Sequence, residues 1–399
     1  MTGKILRLAA WLTAGALLLF TFRRWLFLLV AWLPGRARPG QTGDFSTLPY
    51  VLLLVPVRNE RDTLPALLRL LPELAYPEER LKLIFVDDGS TDGSRELLQL
   101  EVAGKANWSL VALAQNLGKA AALNAALEQC SAGEVIVIYD ADERPRPEAL
   151  KQLVLHFEDA QVGGVSGRRA VANPLDSPAA SYAAYEGLVH QLVTMRAKDK
   201  LKLAPAMLGS NCAYRRLALA EAGNFKPGAL LEDTDLTLSL TRTGWQTRFE
   251  PAAVSCHHVP TTLAGYWRQH TRWARGFNDV AAAQARSLLF DRRLPVVLRL
   301  ELLIFSLGYL DRLALIAGSV LLLFGPGRTP LTWLVPLSLV TPLLQIVVAL
   351  KIEQAPAALW RRLNWLPVFY LVDVAMAVTG WWQSLRQLPQ VWEERQARG

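Results

Sequence analysis

Two pairs of aspartates in this 399-residue chain each follow a short apolar run of the kind that forms a buried strand. Asp87 and Asp88 follow one run, and Asp140 and Asp142 follow another. Carboxylates that are two residues apart at a strand end can face one cavity, where they bind Mg²⁺ or Mn²⁺ together with phosphate oxygens. The spacing therefore indicates a site for a diphosphate and a divalent cation.

Other polar residues are candidates for the same site. Lys119, at the end of the segment NLGK, can meet a phosphate as a point charge. Asp87 or Asp88 can accept hydrogen bonds from a base or a ribose. Each signal also has a structural alternative, since a single Asp-x-Asp is common in turns, Asp-Asp-Gly-Ser can cap a helix, and Gly-Lys often begins one. Their joint order along the chain favours the site.

The elements that would position these residues lie between residues 48 and 260, where strand and helix patterns alternate. The predicted strands are residues 50–55, 82–86, 109–113 and 134–139, and the predicted helices are residues 61–75, 91–101 and 120–129. This alternation predicts an α/β fold with a doubly wound, mostly parallel sheet. Ligands bind at the carboxyl ends of the strands in such a sheet. Pro56, Arg58, Asn59 and Glu60 follow the first strand and belong to the same rim.

Composition indicates a membrane protein rather than a nucleic-acid-binding one. Hydrophobic residues make up 52% of the chain and charged residues 20%. The net charge of +8 first suggests a nucleic-acid partner, but the basic residues flank apolar stretches, as Arg23, Arg24, Arg361 and Arg362 do. The three cysteines have neither zinc-site nor disulfide spacing, which suits a reducing compartment.

The apolar stretches predict the membrane topology. Residues 1–35 read as one long tilted anchor helix rather than a cleaved signal peptide, and residues 36–47 as a linker. Residues 261–295 read as interfacial and amphipathic, and residues 296–385 contain about three transmembrane helices, before a tail at 386–399. We expect a multi-pass protein of the cell (inner) membrane with residues 48–260 in the cytoplasm. The side of the C-terminus stays open.

Asp311 and Arg312 lie in the first of the three C-terminal apolar stretches. Charges at membrane depth are costly and often functional. The sequence leaves two interpretations open. Either they form an ion pair within or between membrane helices, or the span begins later and the pair lies at the interface.

Seven segments between about residues 50 and 275 are VPVRNE (55–60), VDDGSTDGS (86–94), NLGKAAALNAAL (116–127), DADERPRPEAL (140–150), GSNCAYRR (209–216), LLEDTDLTLSL (230–240) and QHTRW (269–273). In these segments and their order the chain resembles family 2 glycosyltransferases of the GT-A fold. The last segment, Gln-x-x-Arg-Trp, is typical of the membrane-bound branch, which includes cellulose, hyaluronan and poly-N-acetylglucosamine synthases and ceramide glucosyltransferases.

The resemblance implies a role for each matching donor-site residue. Asp88, with Asp87, would contact the nucleotide base, and Asp140 would lie near the nucleotide. Asp142, with Asp140, would ligate the metal. The nucleotide-sugar-binding set would comprise Pro56, Arg58, Asn59, Glu60, Asp87, Asp88, Lys119, Asp140 and Arg272.

The resemblance also implies a catalytic base and an acceptor side. Asp233, beside Glu232, would take the proton of the acceptor hydroxyl in a single displacement that inverts the donor. Acidic residues at a helix N-terminus are also favourable without catalysis, and both roles can hold together. The acceptor-binding set would comprise Gly209, Ser210, Asn211, Gln269 and Trp273.

The sequence departs from the family pattern in three places. Leu231 replaces the Thr of the family's Thr-Glu-Asp, which leaves the acids but removes a hydroxyl. His257 or His258 is a possible metal ligand, although a packed or surface histidine is the more common case. The tail lacks the Thr of the Trp-x-x-Thr-x-Arg ending of processive synthases.

These departures leave the product open. One hypothesis is a polysaccharide synthase that uses a nucleotide-diphosphate sugar, with UDP as the expected nucleotide. The alternative is the transfer of a single sugar to a membrane lipid. A non-catalytic scaffold ranks last, because Asp140, Asp142 and Asp233 are all present.

Overall fold

The computed structural model of the protein describes residues 2–33, 48–228, 231–325 and 329–387. The predicted linker at 36–47 and the tail from residue 388 onward lie outside this range. A single helix, α1 (Thr2–Trp32), precedes the sheet. This confirms one long N-terminal helix, in which Arg23 and Arg24 do not interrupt the apolar stretch.

The first half of the sheet alternates strands and helices. Its elements are β1 (Val51–Val57), α2 (Leu64–Leu70), β2 (Leu81–Asp87), α3 (Ser94–Val102), β3 (Trp108–Ala112), α4 (Lys119–Gln129) and β4 (Val135–Ile138). The predicted helix at 61–75 is shorter than expected and ends in a 3-10 turn, Leu71–Glu73, because Pro72 has no N–H to continue the helix.

The second half of the sheet is less regular. Its elements are β5 (Arg144–Pro145), α5 (Ala149–Val154), β6 (Val162–Val171), α6 (Pro178–Leu188), α7 (Arg196–Leu201), β7 (Cys212–Arg215), α8 (Arg216–Glu221), α9 (Glu232–Arg242) and β8 (Gln246–His257). A π-helical segment, Val189–Met195, joins α6 to α7. Further 3-10 turns are Glu78–Arg80 and Leu155–Glu158.

The eight strands form one sheet in the order β3-β2-β1-β4-β7-β6-β8-β5. The pairs β1–β2, β1–β4, β2–β3 and β6–β8 are parallel, while β7 runs antiparallel to β4 and β6, and β5 antiparallel to β8. Successive residues of β1 face opposite sides, with Leu53 and Val55 in one apolar core and Leu52 and Leu54 in the other. Helices therefore cover both faces, and the predicted mostly parallel α/β fold is confirmed.

A helical region follows the sheet. Its helices are α10 (Leu263–Phe290), α11 (Val296–Ser306), α12 (Leu310–Phe324), α13 (Leu331–Glu353), α14 (Ala357–Arg361) and α15 (Leu366–Leu385), with a 3-10 turn at Arg362–Trp365. Among the described residues, Lys4–Trp32, Leu331–Glu353 and Ala357–Leu385 are long and apolar enough to cross a membrane. The pair α11 and α12, bent by 74°, makes a fourth candidate if it counts as one span.

Asp311 and Arg312 both join helices together. Arg312 bonds Asp311 at 2.9 Å and Asp373 of α15 at 2.9 Å, and Arg24 of α1 pairs with Asp311. Arg23 of α1 likewise bonds Glu301 of α11 through two nitrogens, at 2.6 and 2.7 Å. Buried charges of this kind are tolerated only when paired. Asp311 and Arg312 therefore form ion pairs between helices, and their depth in a membrane stays a prediction.

Candidate active site

Lys119 joins three segments of the rim at the carboxyl end of the sheet. Its ammonium nitrogen lies 2.6 Å from Oδ1 of Asp140 at the end of β4 and donates to the carbonyl of Gly209 at 2.8 Å. It also lies 3.9 Å from Oε1 of Glu232 at the start of α9. Burial alone would lower the pKa of Lys119, but the charges of Asp140 and Glu232 outweigh it and raise the pKa. The rim therefore holds a permanent cation between its carboxylates.

The acidic cluster after β4 can hold a metal ion. One oxygen each from Asp140, Asp142 and Glu143 lies within 4.8 Å of the others, and Asp142 is only 2% exposed. Ser210 fixes the turn, because its hydroxyl accepts the backbone N–H of Asp140 at 2.8 Å. Carboxylate oxygens are the donors that Mg²⁺ and Mn²⁺ prefer. The chemistry of this donor set fits such a cation.

Glu143 is the nearest carboxylate to the predicted pair, but its oxygens have protein partners. Nε of Arg169 on β6 donates to Oε1 at 2.5 Å, and the Ser255 hydroxyl of β8 donates to Oε2. Glu143 is fully buried, and burial raises the pKa of its carboxyl against the charge of Arg169. Its contacts are therefore those of a supporting residue.

Arg169 is a second cation on the rim that the sequence analysis missed. Its Nη2 lies 3.6 Å from Oδ2 of Asp140. The amide of Gln191 binds both backbone groups of Arg169, accepting its N–H at 2.7 Å and donating to its carbonyl at 2.9 Å. In the sequence this residue is visible only as part of the Arg168-Arg169 pair, and the pair does not indicate toward which part of the fold either side chain points. Asp140 thus lies between two positively charged side chains.

Asp87 and Asp88 both bind the protein's own donors. Oδ2 of Asp87 accepts from Nε of Arg95 at 2.7 Å. The two oxygens of Asp88 accept the backbone N–H groups of Leu117 and Gly118, at 2.7 and 2.9 Å. Asp88 therefore shapes the loop that presents Lys119. The predicted contact of either aspartate with a base stays a prediction.

The segment after β1 is joined to the segment after β2. Pro56 is half-buried in β1, and Asn59 has a positive φ of 50°, which places it in a tight bend. Hydrogen bonds run from Arg58 Nη1 to Asp88 O (3.1 Å), from Asn59 N to Ser90 Oγ (3.0 Å) and from Glu60 N to Ser94 Oγ (2.9 Å). The ends of the two strands therefore form one connected edge, and the predicted role of this edge in nucleotide binding stays a prediction.

Asp233 lies in the first turn of α9 and faces Gly209. Its Oδ1 accepts the N–H of Thr234 at 2.6 Å, and a Cβ at Gly209, which has a φ of +70°, would lie 3.2 Å from its Oδ2. Burial and then the charge of Glu232 raise the pKa of Asp233 to about 7, although the Thr234 hydrogen bond and Lys119 act in the opposite direction. A carboxyl that titrates near neutrality can serve as a general base.

Asn211 lies at the rim but points into the sheet. It is fully buried, and its amide nitrogen donates to the carbonyls of Arg168 and Ala253 at 2.9 and 2.8 Å. The side chain therefore braces β6 against β8. A role in acceptor binding is a prediction that these contacts do not test.

Gln269, Arg272 and Trp273 lie on α10. Arg272 is exposed, and the half-buried ring of Trp273 lies 4.6 Å from the ring of His270. Further along α10, Gln284 donates to Asp235 of α9, which links this helix to the one that carries Asp233. The predicted acceptor side and the predicted base thus belong to packed elements.

The two candidate histidine ligands differ in exposure. His258 is exposed, whereas His257 ends β8. Burial and the charge of Arg169 lower the pKa of His257 to about 3, so its ring is neutral. Among the described residues, the cluster whose ligand atoms lie within 4.8 Å of one another consists of carboxylates alone.

Comparison with known proteins identifies the class. Residues 53–223 match the family described as glycosyl transferase family 2, so the chain carries a domain of this family, and the family predicted from the motifs is confirmed. A probable glycosyltransferase of Bacillus subtilis (strain 168), YdaM, is 33% identical over 238 residues, which are 58% of this chain and 56% of that protein.

A second relative and a solved structure are also similar to this chain. A poly-beta-1,6-N-acetyl-D-glucosamine synthase of Staphylococcus aureus (strain MSSA476) is 27% identical over 251 residues, 62% of this chain and 59% of that protein. The chain thus spans somewhat more than half the length of these curated relatives. A mannosyltransferase from Pyrobaculum calidifontis, solved with GDP-Man and Mn²⁺, is 22% identical with a TM-score of 0.66, covering 97% of this chain and 99% of that one. The predicted GT-A fold is confirmed.

Proposed function

We propose that the protein is a membrane-bound, inverting β-glycosyltransferase that uses a UDP-sugar to extend a polysaccharide. The observation that carries the proposal is the position of Lys119, which contacts the metal-ligand candidate Asp140 and lies 3.9 Å from Glu232, next to Asp233. These contacts support a donor site and a base that lie on either side of one cation. The S. aureus relative, a poly-beta-1,6-N-acetyl-D-glucosamine synthase, supports a polymer product.

In the proposed reaction, Asp233 accepts the proton of the acceptor hydroxyl while that oxygen attacks the anomeric carbon. The new C–O bond forms as the bond from the anomeric carbon to the diphosphate oxygen breaks, and the electron pair leaves with the nucleoside diphosphate. Attack from the opposite face converts an α-linked donor into a β-linked product. The elevated pKa of Asp233, about 7, suits this proton transfer.

The other rim residues would neutralise and position the donor. Asp140 and Asp142 would hold Mg²⁺ or Mn²⁺, which supplies positive charge to the leaving diphosphate. Lys119 and Arg272 would add positive charge from the protein. Pro56, Arg58, Asn59 and Glu60 would form the nucleotide edge with Asp88. The mannosyltransferase neighbour, solved with GDP-Man and Mn²⁺, is consistent with a metal.

The proposed location is the cell (inner) membrane, with the sheet domain at 48–260 in the cytoplasm, where nucleotide sugars are made. The interfacial helix α10 would carry Gln269 and Trp273 to the acceptor, between the sheet domain and the candidate spans. Gly209 and Ser210 would line the opposite side of the acceptor position. This arrangement would pass the product toward the bilayer.

The alternative acceptor is a membrane lipid that receives one sugar. It is favoured by the small number of candidate spans, three or four among the described residues. A lipid acceptor would also need α10 at the bilayer surface, so both candidates share the donor site and the base. They differ in the acceptor and therefore in the product.

One assay separates the candidates. Membranes that contain the protein are incubated with Mn²⁺ and a radiolabelled panel of UDP-N-acetylglucosamine, UDP-glucose and GDP-mannose, and the products are sorted by size and by organic extraction. A long water-soluble β-linked polymer from a UDP-sugar supports the proposal, and a short extractable product supports the lipid acceptor. No turnover with any donor, or turnover that Asp142→Asn leaves unchanged, would overturn both.

A further inference from the structure

Both ring nitrogens of His270 face hydrogen-bond acceptors. Nε2 lies 3.0 Å from Oε2 of Glu186 on α6, and Nδ1 lies 3.0 Å from the backbone carbonyl of Tyr266. A carbonyl oxygen cannot donate, and an ionised carboxylate can only accept, whereas a neutral imidazole has a single N–H. The two contacts are both hydrogen bonds only when the ring is an imidazolium.

Glu186 is held in its ionised form. The Tyr266 hydroxyl also donates to Oε2 of Glu186, at 2.7 Å. Burial would raise the pKa of Glu186, but the charge of His270 and these hydrogen bonds outweigh it and lower the pKa. The carboxylate therefore has no proton to offer to the ring, and both N–H groups must come from His270.

The imidazolium is part of an aromatic cluster in which Tyr266 is buried and Trp273 is half-buried. The side chain of His270 is 5% exposed. Its ring stacks on Tyr266, with centroids 3.8 Å apart, and its edge meets Trp273, with centroids 4.6 Å apart at 62°. A cation beside aromatic rings is attracted to them by about 0.5–2 kcal/mol, more strongly where it is desolvated. Trp273 therefore packs against a neighbour whose two hydrogen bonds require a charge.

A second buried His–Glu pair in the same chain shows the contrast. Nε2 of His156 lies 2.9 Å from Oε2 of Glu250, and both side chains are 4% exposed. Nδ1 of His156 has no hydrogen-bond partner among the described residues. A neutral tautomer of His156 can therefore make the one hydrogen bond of this pair. A His–Glu pair alone does not need two ring protons, and at His270 the second proton is needed because the Tyr266 carbonyl is a second acceptor.

We propose that His270 is a positioning residue that stays protonated between Glu186 and Tyr266 and thereby fixes the ring of Trp273. This inference rests on the proposed acceptor role of Trp273. The ion pair ties α10 to α6, so the orientation of the acceptor side is set by a charge inside the helix pair. Loss of the proton leaves either Tyr266 or Glu186 facing a lone pair of the ring.

The pH dependence follows from the groups around the pair. Besides Tyr266, the ionisable groups that act on the His270–Glu186 pair and its immediate neighbours are Tyr182 of α6, Asp373 of α15 and Arg312 of α12. Burial would lower the pKa of His270, but the charge of Glu186 outweighs it and raises the pKa above 6.5. The contribution to stability is therefore fully present below pH 6.5 and is lost as the pH rises through the higher folded-state pKa.

The first test is NMR of full-length protein in detergent with ¹⁵N-labelled histidine. The chain has five histidines, so His270→Gln identifies the signal by its disappearance. We expect the ring of His270 to titrate with a midpoint above 6.5 and both of its nitrogens to carry protons below that midpoint. A midpoint at or below 6.5 would overturn the proposal. In Glu186→Gln the midpoint should fall, which keeps the test valid if His270→Gln does not fold.

The second test measures Trp273 itself. In protein labelled with 5-fluorotryptophan, the ¹⁹F signal that Trp273→Phe removes should shift with pH at the same midpoint as His270. The midpoint of that shift should fall together with the His270 midpoint in Glu186→Gln and stay unchanged in the matched control His156→Gln. A Trp273 signal that ignores the His270 titration would contradict the positioning role. Neither measurement requires turnover, so an enzymatically inactive protein with the expected spectra would overturn the proposed function and not this inference.

Discussion

The ammonium nitrogen of Lys119 lies 2.6 Å from Oδ1 of Asp140, so the start of α4 and the end of β4 share an ion pair. The same nitrogen donates to the carbonyl of Gly209, opposite Asp233. A positive charge is thereby fixed where the proposed donor places its diphosphate. The contacts of Lys119 connect the two aspartates on which the proposed reaction depends.

Replacing Lys119 should weaken donor binding. A hydrogen bond to a charged group contributes about 1.5–3 kcal/mol, so Lys119→Met should raise the Kd of the nucleotide sugar roughly 10- to 100-fold. Titration of a labelled UDP-sugar into the solubilised protein measures this Kd. Lys105→Met is the control, since Lys105 forms a solvent-exposed pair with Glu101 at 3.4 Å. Equal affinities for the two variants would refute the role of Lys119.

The pH profile should report Asp233. Burial and the charge of Glu232 raise its pKa from 3.8 to about 7, and only the ionised form can accept a proton. The specificity constant kcat/KM should therefore rise with pH and level off above about 7. A rate that stays constant from pH 5 to pH 8 would exclude Asp233 as the base.

The same pKa shift has the opposite effect on stability. A carboxyl with a raised folded-state pKa stabilises the fold in its protonated form, fully below the unfolded pKa of 3.8, and this contribution is lost as the pH rises through about 7. Asp233→Asn resembles the protonated acid. At pH 8 its thermal unfolding temperature should equal or exceed that of the wild type, and a large decrease would show that the carboxylate is a structural group.

Glu143 should behave as a support and not as a metal ligand, because Arg169 and Ser255 donate to its two oxygens. Breaking a buried ion pair costs about 3–5 kcal/mol, so Glu143→Gln should lower the unfolding temperature markedly. Adding Arg169→Met should restore part of the loss. Mn²⁺ affinity, measured by electron paramagnetic resonance, should fall more in Asp142→Asn than in Glu143→Gln, and the reverse order would make Glu143 a ligand.

The ion pairs between the apolar helices should contribute strongly to stability. Arg312→Met leaves Asp311 and Asp373 buried without their shared partner, which should cost about 3–5 kcal/mol and lower the apparent Tm in detergent. Lys105 pairs with Glu101 at the surface, with 37% and 40% of the two side chains exposed, so Lys105→Met should leave the Tm nearly unchanged. A similar Tm for both variants would mean that the buried cluster is not structural.

The sequence predicted those parts of the site that depend on local order. Asp140, Asp142 and Lys119 follow strands or begin a helix, and the rule that parallel strands end at one rim brings them together. Arg169 could not be found this way. Its partner Glu143 lies 26 residues away in the sequence. The contact depends on how β6 pairs with β8 and on the two hydrogen bonds from the amide of Gln191 to the backbone of Arg169.

Two further features required the three-dimensional structure. The apolar stretch that begins at 302 is interrupted between Ser306 and Leu310, where α11 and α12 meet at 74°, because Gly308 weakens the helix and Arg312 turns toward Asp373. Asn211 lies in a motif segment, yet its amide binds the sheet. A linear pattern does not specify the direction of a side chain in a loop.

The most direct test of the account compares Asp233→Asn with the wild type under one set of conditions, with Mn²⁺ and a radiolabelled UDP-sugar that the wild-type protein uses. We expect Asp233→Asn to bind the donor within about threefold of the wild-type Kd, since it removes the base and leaves the donor rim, and to lose at least about 100-fold in product formation. Product formation near the wild-type rate with donor binding intact would contradict the central claim that Asp233 is the base of a glycosyl transfer.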